Sequence, residues 1–146
     1  MSGGEPHPRS ESLTEAAFEL VDRMESGRLE PGFSTRVSRG SSHGLVEVIE
    51  DPWSPSSNLL SVRMAIMNAP RSDGERFWRT LAELNTRLLG RASFALATDG
   101  VVWLMSSHPI VDLDPGEMLD LVLWTANMAD ELDDQLLDEF GRELAI

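Results

Sequence analysis

Apolar residues in this chain recur in blocks, first at helical spacing and then at strand spacing, and the two periods alternate along its length. Leu13, Ala17, Leu20, Val21 and Met24 form one helical stripe, which predicts a first helix opening at Ser12. Ser12-Leu13-Thr14-Glu15 has the form of a capping box, in which the serine oxygen accepts from the N3 amide and the glutamate reaches back to the cap amide. Gly27 is the expected stop. Phe33, Thr35 and Val37 then alternate, and Gly40-Ser-Ser-His-Gly44 reads as a flexible turn. Leu45-Val-Glu-Val-Ile49 is a β-branched run closed by Asp51-Pro52. After a loop that carries Trp53, Leu59 to Met67 reads as the longest strand. Leu60, Val62, Met64 and Ile66 share one of its faces, Ser61 and Arg63 the other.

A second capping box, Ser72-Asp73-Gly74-Glu75, predicts a helix with the stripe Phe77, Leu81, Leu84 and Leu88, ended by Gly90. The clearest hairpin follows. Two apolar runs, 93–97 and 101–105, flank Thr98-Asp99-Gly100, where Asp-Gly supplies the positive φ angles of a tight turn. Asp114-Pro115-Gly116-Glu117 opens a third helix with an Asp cap, a proline at N1 and a glutamate at N3. Met118, Val122, Ala129, Leu136, Phe140 and Leu144 lie close to one stripe, carrying this helix nearly to the end. Neighbouring strands without helical crossovers imply an α+β fold, a mainly antiparallel sheet with helices packed on it. Residues 1–11 read as a frayed tail ahead of a single domain at 12–146.

Composition narrows the function classes. A chain of 146 residues with 41% hydrophobic content is long enough for one core and too apolar for disorder. No run of eighteen apolar residues is present to span a membrane, and the N-terminus lacks the pattern of a signal peptide, so a cytoplasmic address is expected. Cysteine is absent, which excludes disulfides, thiol nucleophiles and thiolate metal sites. The net charge of −13 tells against nucleic acid as a partner. Most of that charge is local: residues 111–146 hold eleven carboxylates against Arg142 alone, ten of the thirteen excess negative charges. All twelve basic residues are arginine, which nucleotide bias or a salt-adapted acidic surface would each explain.

No polar constellation looks catalytic. His7, His43 and His108 share no helical spacing of the kind a zinc motif needs. Ser42-His43 stands without a nucleophile elbow, and there is no phosphate-binding glycine loop. Asp112 and Asp114 lack the further ligands of a calcium loop, and Asp114 is explained as a helix cap. Asp130, Glu131, Asp133, Asp134 and Asp138 read as a solvated helix face, with a docking basic partner as the alternative. The expectation is no catalytic residue, no metal and no cofactor.

Apolar surface, by contrast, is over-supplied. The third helix is apolar nearly all round from Met118 to Ala129, and beside its core stripe it presents Leu121, Trp124 and Met128. A central helix and an interface both fit that surplus. Trp78, Ala82 and Leu89 lie beside the stripe of the second helix, with Trp103 on the last strand. A homodimer interface would account for them. Trp53 sits between prolines as either a core lid or an exposed contact.

Leu81-Ala-Glu-Leu-Asn85, the hairpin at Asp99-Gly100, and a helix opening Asp-Pro-Gly-Glu and carrying Ala129-Asp130-x-x-Asp133 form a further pattern. Over residues 70–141 it resembles the bacterial YbjN-like family and, more distantly, type III secretion chaperones of the Tir-chaperone kind. The resemblance implies an α-β-β-β-α-β-β-α fold, usually dimeric, that holds a partner polypeptide along apolar patches. It implies a dimer contact at Trp78, Leu81, Leu89 and Trp103. Trp53, Leu121, Trp124 and Met128 are then the candidate partner or ligand surface. The expected function is a non-catalytic, chaperone-like or adaptor protein that binds another protein. The alternative is a small-molecule-sensing regulatory domain with a pocket between sheet and third helix, lined by Trp124 and Met128.

Overall fold

Alternation within the strands decides which side of the sheet is covered. A computed structural model describes residues 11–146, with side chains from Leu13 onward. The tail as far as Ser10, including His7, lies outside the described residues, as does the side chain of the proposed Ser12 cap. The elements are β1 (Glu11–Ser12), α1 (Leu13–Glu25), β2 (Ser34–Arg39), β3 (Ser42–Glu50), β4 (Asn58–Asn68), α2 (Gly74–Leu88), β5 (Ser93–Leu96), β6 (Val101–Pro109) and α3 (Pro115–Phe140), with single 3-10 turns at Ile110–Asp112 and Arg142–Leu144. The strands form one sheet in the order β1-β2-β3-β4-β6-β5. Every pairing is antiparallel except that of β1, which lies parallel to β2. This is the expected α+β architecture and element order, with β1 added at one edge.

Val37, Val46, Val48, Leu60, Val62, Met64, Val102 and Leu104 point to one face and are buried in a single core with side chains from all three helices. The long strand β4 behaves as its alternation predicts until Ala65, where a bulge inserts one residue and brings both Ile66 and Met67 into the core. On α2 the predicted stripe Phe77, Leu81, Leu84 and Leu88 is buried, and on α3 Met118, Val122, Ala129 and Leu136 are. Phe77 is fully buried between Trp78 and Phe140, each ring meeting it edge-on at 5.0 Å. Burial of a side chain of that size is worth about 1.5–3 kcal/mol.

The helix ends show which local signals prevail. The Asp114 box forms in full: Glu117 N donates to Asp114 Oδ1 at 2.8 Å, and Asp114 N to Glu117 Oε1 at 3.0 Å. The box expected at Ser72 does not form. The cap is Asp73, in a left-handed conformation at φ 60°, and its carboxylate accepts from Arg76 Nε at 2.7 Å rather than from a helix amide. A charged donor one turn away has outcompeted the backbone for that carboxylate. At the other end α2 stops at Leu88, and Leu89 itself takes the left-handed position at φ 56° before Gly90 at φ 82°.

Candidate functional site

With all three helices on one side, the opposite face of the sheet has no layer over it among the described residues. Leu45, Ile49, Leu59, Ala65, Trp103 and Met105 alternate with the core residues and lie on this bare face, and none of them belongs to the core cluster. Arg63 sits in its middle. Its Nε donates to Glu47 Oε1 at 2.9 Å, and its guanidinium lies 4.9 Å from the centre of the Trp103 ring. Trp103 is half-buried, and its indole N–H is buried without a hydrogen-bond partner among the described residues.

A second apolar surface forms where α2 ends, α3 begins and β6 runs past β5. This groove of about 390 Å³ is lined by Leu89, Leu121 and Trp124, with Arg91, Ser107 and Asp120 among its polar residues. Arg91 crosses one wall with its guanidinium 4.0 Å above the Trp124 ring. Leu89 is 85% exposed. The structure therefore joins Leu89, expected at a dimer contact, with Leu121 and Trp124, expected on the partner surface. Other candidates fall elsewhere. Leu81 is only 3% exposed and lies inside the core; Trp78 is exposed on α2, and Trp103 faces the far side of the sheet. Trp78, Leu81, Leu89 and Trp103 thus share no single surface. Met128 packs against the core rather than lining the groove, and Trp53 is 93% exposed in the β3–β4 loop.

The acidic stretch of α3 is not a uniformly solvated face. Asp133 is 3% exposed, and its Oδ2 accepts from Ser42 Oγ at 2.9 Å and Ser41 Oγ at 3.3 Å. Asp130 Oδ1 accepts from Ser41 N at 3.3 Å. Together they clasp the turn between β2 and β3, so the expected flexible turn is held tightly against the helix. Ser42 and His43 already belong to β3 rather than to a loop. Burial pushes the Asp133 carboxyl above its ordinary range, hydrogen bonds from Ser42 and Ser41 pull it back in part, and the charges of Asp134 and Asp130 add to the rise. Asp134 and Asp138 do reach solvent, where both pair with Arg142.

A further cleft of about 880 Å³ opens between the start of α2 and the end of α3, lined by Arg71, Asp73, Arg76 and Phe140 among others. Arg76 is engaged by Asp73, Glu139 and the Phe140 ring. Among the described residues no three His, Asp or Glu side chains lie together as a metal ion requires. No helix among them is long and apolar enough to cross a membrane.

Strands β2 to β6 form an antiparallel part of the sheet that carries three helices on one face, the type III secretion chaperone-like fold expected from the sequence. A chain in the crystal structure of the ExsC-ExsE complex matches with a TM-score of 0.57 at 12% identity, over 85% of this chain and 95% of that one. No protein-family model and no curated protein matches the sequence.

Proposed function

We propose that this is a non-catalytic, cytoplasmic, chaperone-like protein that binds another protein, and that it belongs with the YbjN-like proteins its second half resembles. The observation that carries the reading is the apolar groove at Leu89, Leu121 and Trp124, open on a fold shared with a chain of a protein–protein complex. Tryptophan and arginine, both present in this groove, are enriched at protein interfaces. Affinity capture from native cytosol with mass spectrometry is expected to return the same protein partner in replicate experiments. Reproducible absence of any protein would overturn the reading.

We assign the homodimer implied by the resemblance to the bare sheet face, because Trp103, Met105, Leu45 and Ile49 share it and no helix among the described residues covers it. Sedimentation velocity is expected to give about twice the chain mass of 16.2 kDa. Met105→Glu, which places a charge in the centre of that face, should give the monomer mass. A wild-type chain that sediments as a monomer would remove the dimer and leave the protein-binding reading in place.

A further inference from the structure

We infer that the contact between α3 and the turn joining β2 to β3 is a pH-sensitive latch, closed while Asp133 carries a proton and released when Asp133 ionises. The latch is independent of the protein-binding reading, because it shares no residue with the groove at Leu89.

The two oxygens of Asp133 are treated unequally. Oδ2 accepts from Ser42 Oγ at 2.9 Å and from Ser41 Oγ at 3.3 Å. Oδ1 is buried without a hydrogen-bond partner among the described residues. An ionised carboxylate with one oxygen bare in the interior is costly, and a proton removes that charge. The surroundings offer no counter-charge. On α3, Asp130 and Asp134 lie close to Asp133, while Arg142 is drawn away to Asp134 and Asp138. From β2, Arg39 is exposed and forms no ion pair among the described residues. From β3, His43 lines the cavity beside Asp133, and the other walls at Ala65, Ile66, Leu137, Ala145 and Ile146 bring no ionisable side chain. Burial, opposed in part by the serine hydroxyls and reinforced by Asp134 and Asp130, holds the proton above the ordinary carboxyl range.

The turn is the element that can move. Gly40 sits at φ 58°, and a Cβ there would collide with the Asp130 carboxylate, so only glycine lets the turn seat on the helix. Ser41 N donates to Asp130 Oδ1 at 3.3 Å, a contact that breaks when the turn lifts. The cavity beside Asp133 has a volume of about 90 Å³, room for about three waters. Ionisation sets an unsolvated charge beside Asp130 and Asp134. Lifting the turn brings water to Oδ1 and separates Asp130 from the backbone it holds. From His43 onward β3 stays paired with both β2 and β4, which confines the motion to residues 40–42.

The test is amide hydrogen exchange of the full chain by NMR from pH 4 to 8. Rates are expressed as protection factors, so that base catalysis of exchange itself cancels. The Ser41 amide reports the latch, and the Val62 amide in the centre of the sheet reports global opening. In wild type the Ser41 protection factor is expected to be high at low pH, where the proton is retained. It should fall at least about tenfold as pH rises through the raised carboxyl value, while Val62 remains the more strongly protected. Asp133→Asn should keep Ser41 protected across the whole range. Gly40→Ala should leave it unprotected throughout. His43→Gln should reproduce the wild-type fall, which assigns the titration to Asp133. Ser41 protection that does not change with pH in wild type overturns the latch. An equal fall in Asp133→Asn, or loss of the fall in His43→Gln, overturns it as well. Should Gly40→Ala fail to fold, the comparison of wild type with Asp133→Asn and His43→Gln decides alone.

Discussion

Gly44→Ala is expected to lower the melting temperature by about 10 °C, corresponding to about 3 kcal/mol. Gly44 lies opposite Met64 at the junction of β3 and β4, in the centre of the sheet. A Cβ at this position would stand 2.1 Å from Arg63 O, 2.5 Å from Met64 Sδ and 2.9 Å from Met64 Cα. Two of these are backbone atoms of a fully paired strand, so relief requires moving the strand rather than rotating a side chain. Met64 is itself fully buried and has nowhere to retreat. Gly116→Ala is the matched control: it sits in the first turn of α3, where the nearest atom beyond the helix backbone and its chain neighbours would be an oxygen of the flexible Asp114 carboxylate at 3.4 Å. Thermal melts of both variants decide the matter. A Gly44→Ala melt within about 2 °C of wild type would show that β3 and β4 do not approach this closely.

Asp133 carries the second large effect, and its sign depends on pH. Its carboxyl is held above the ordinary range, chiefly by burial. Between the ordinary and the raised values the folded chain keeps a proton that the unfolded chain has released. This contribution therefore favours the fold at low pH, declines as pH rises through the raised value, and is lost above it. Asp133→Asn stays neutral throughout and retains an oxygen to accept from Ser42. At neutral pH it is expected to melt above wild type, with the advantage vanishing as pH falls through the carboxylate range. Asp133→Ala should melt well below Asp133→Asn, because the Ser42 hydroxyl, in a residue 1% exposed, is left without an acceptor, at about 1–3 kcal/mol. The measurement is the difference in melting temperature between wild type and each variant from pH 4 to 8. A difference between wild type and Asp133→Asn that does not change with pH would show that Asp133 does not titrate as its burial requires.

Legibility divides by the range of the interaction. The α3 cap was readable because Asp114, Pro115 and Glu117 satisfy one another within four residues. The stripe on α2 and the alternation of β4 were readable because the helix and strand periods alone place those side chains on one face. The groove was half readable. Surplus leucine and tryptophan marked Leu89, Leu121 and Trp124, but nothing local joins a residue at the end of α2 to two on α3. Arg91, Ser107 and Asp120 carried no signal at all, since each matters only through what the fold sets beside it. Leu81 was placed both in the core stripe and in an implied interface, and the structure buries it in the core.

By itself the sequence determined the α+β class, the order of elements, most of the core and the excess of apolar surface on the second and third helices. Periodicity and capping suffice for these, because each depends on residues within a few turns of one another. The tertiary structure decided where that excess goes: one face of the sheet is covered and the other bare, and the groove lies where β5 stops short of Ser107. It also turned two carboxylates of an apparently solvated helix face into a clasp on the turn between β2 and β3. Ser42 and Asp133 are 91 positions apart, and only packing of α3 across the sheet brings a hydroxyl to a carboxylate over that separation.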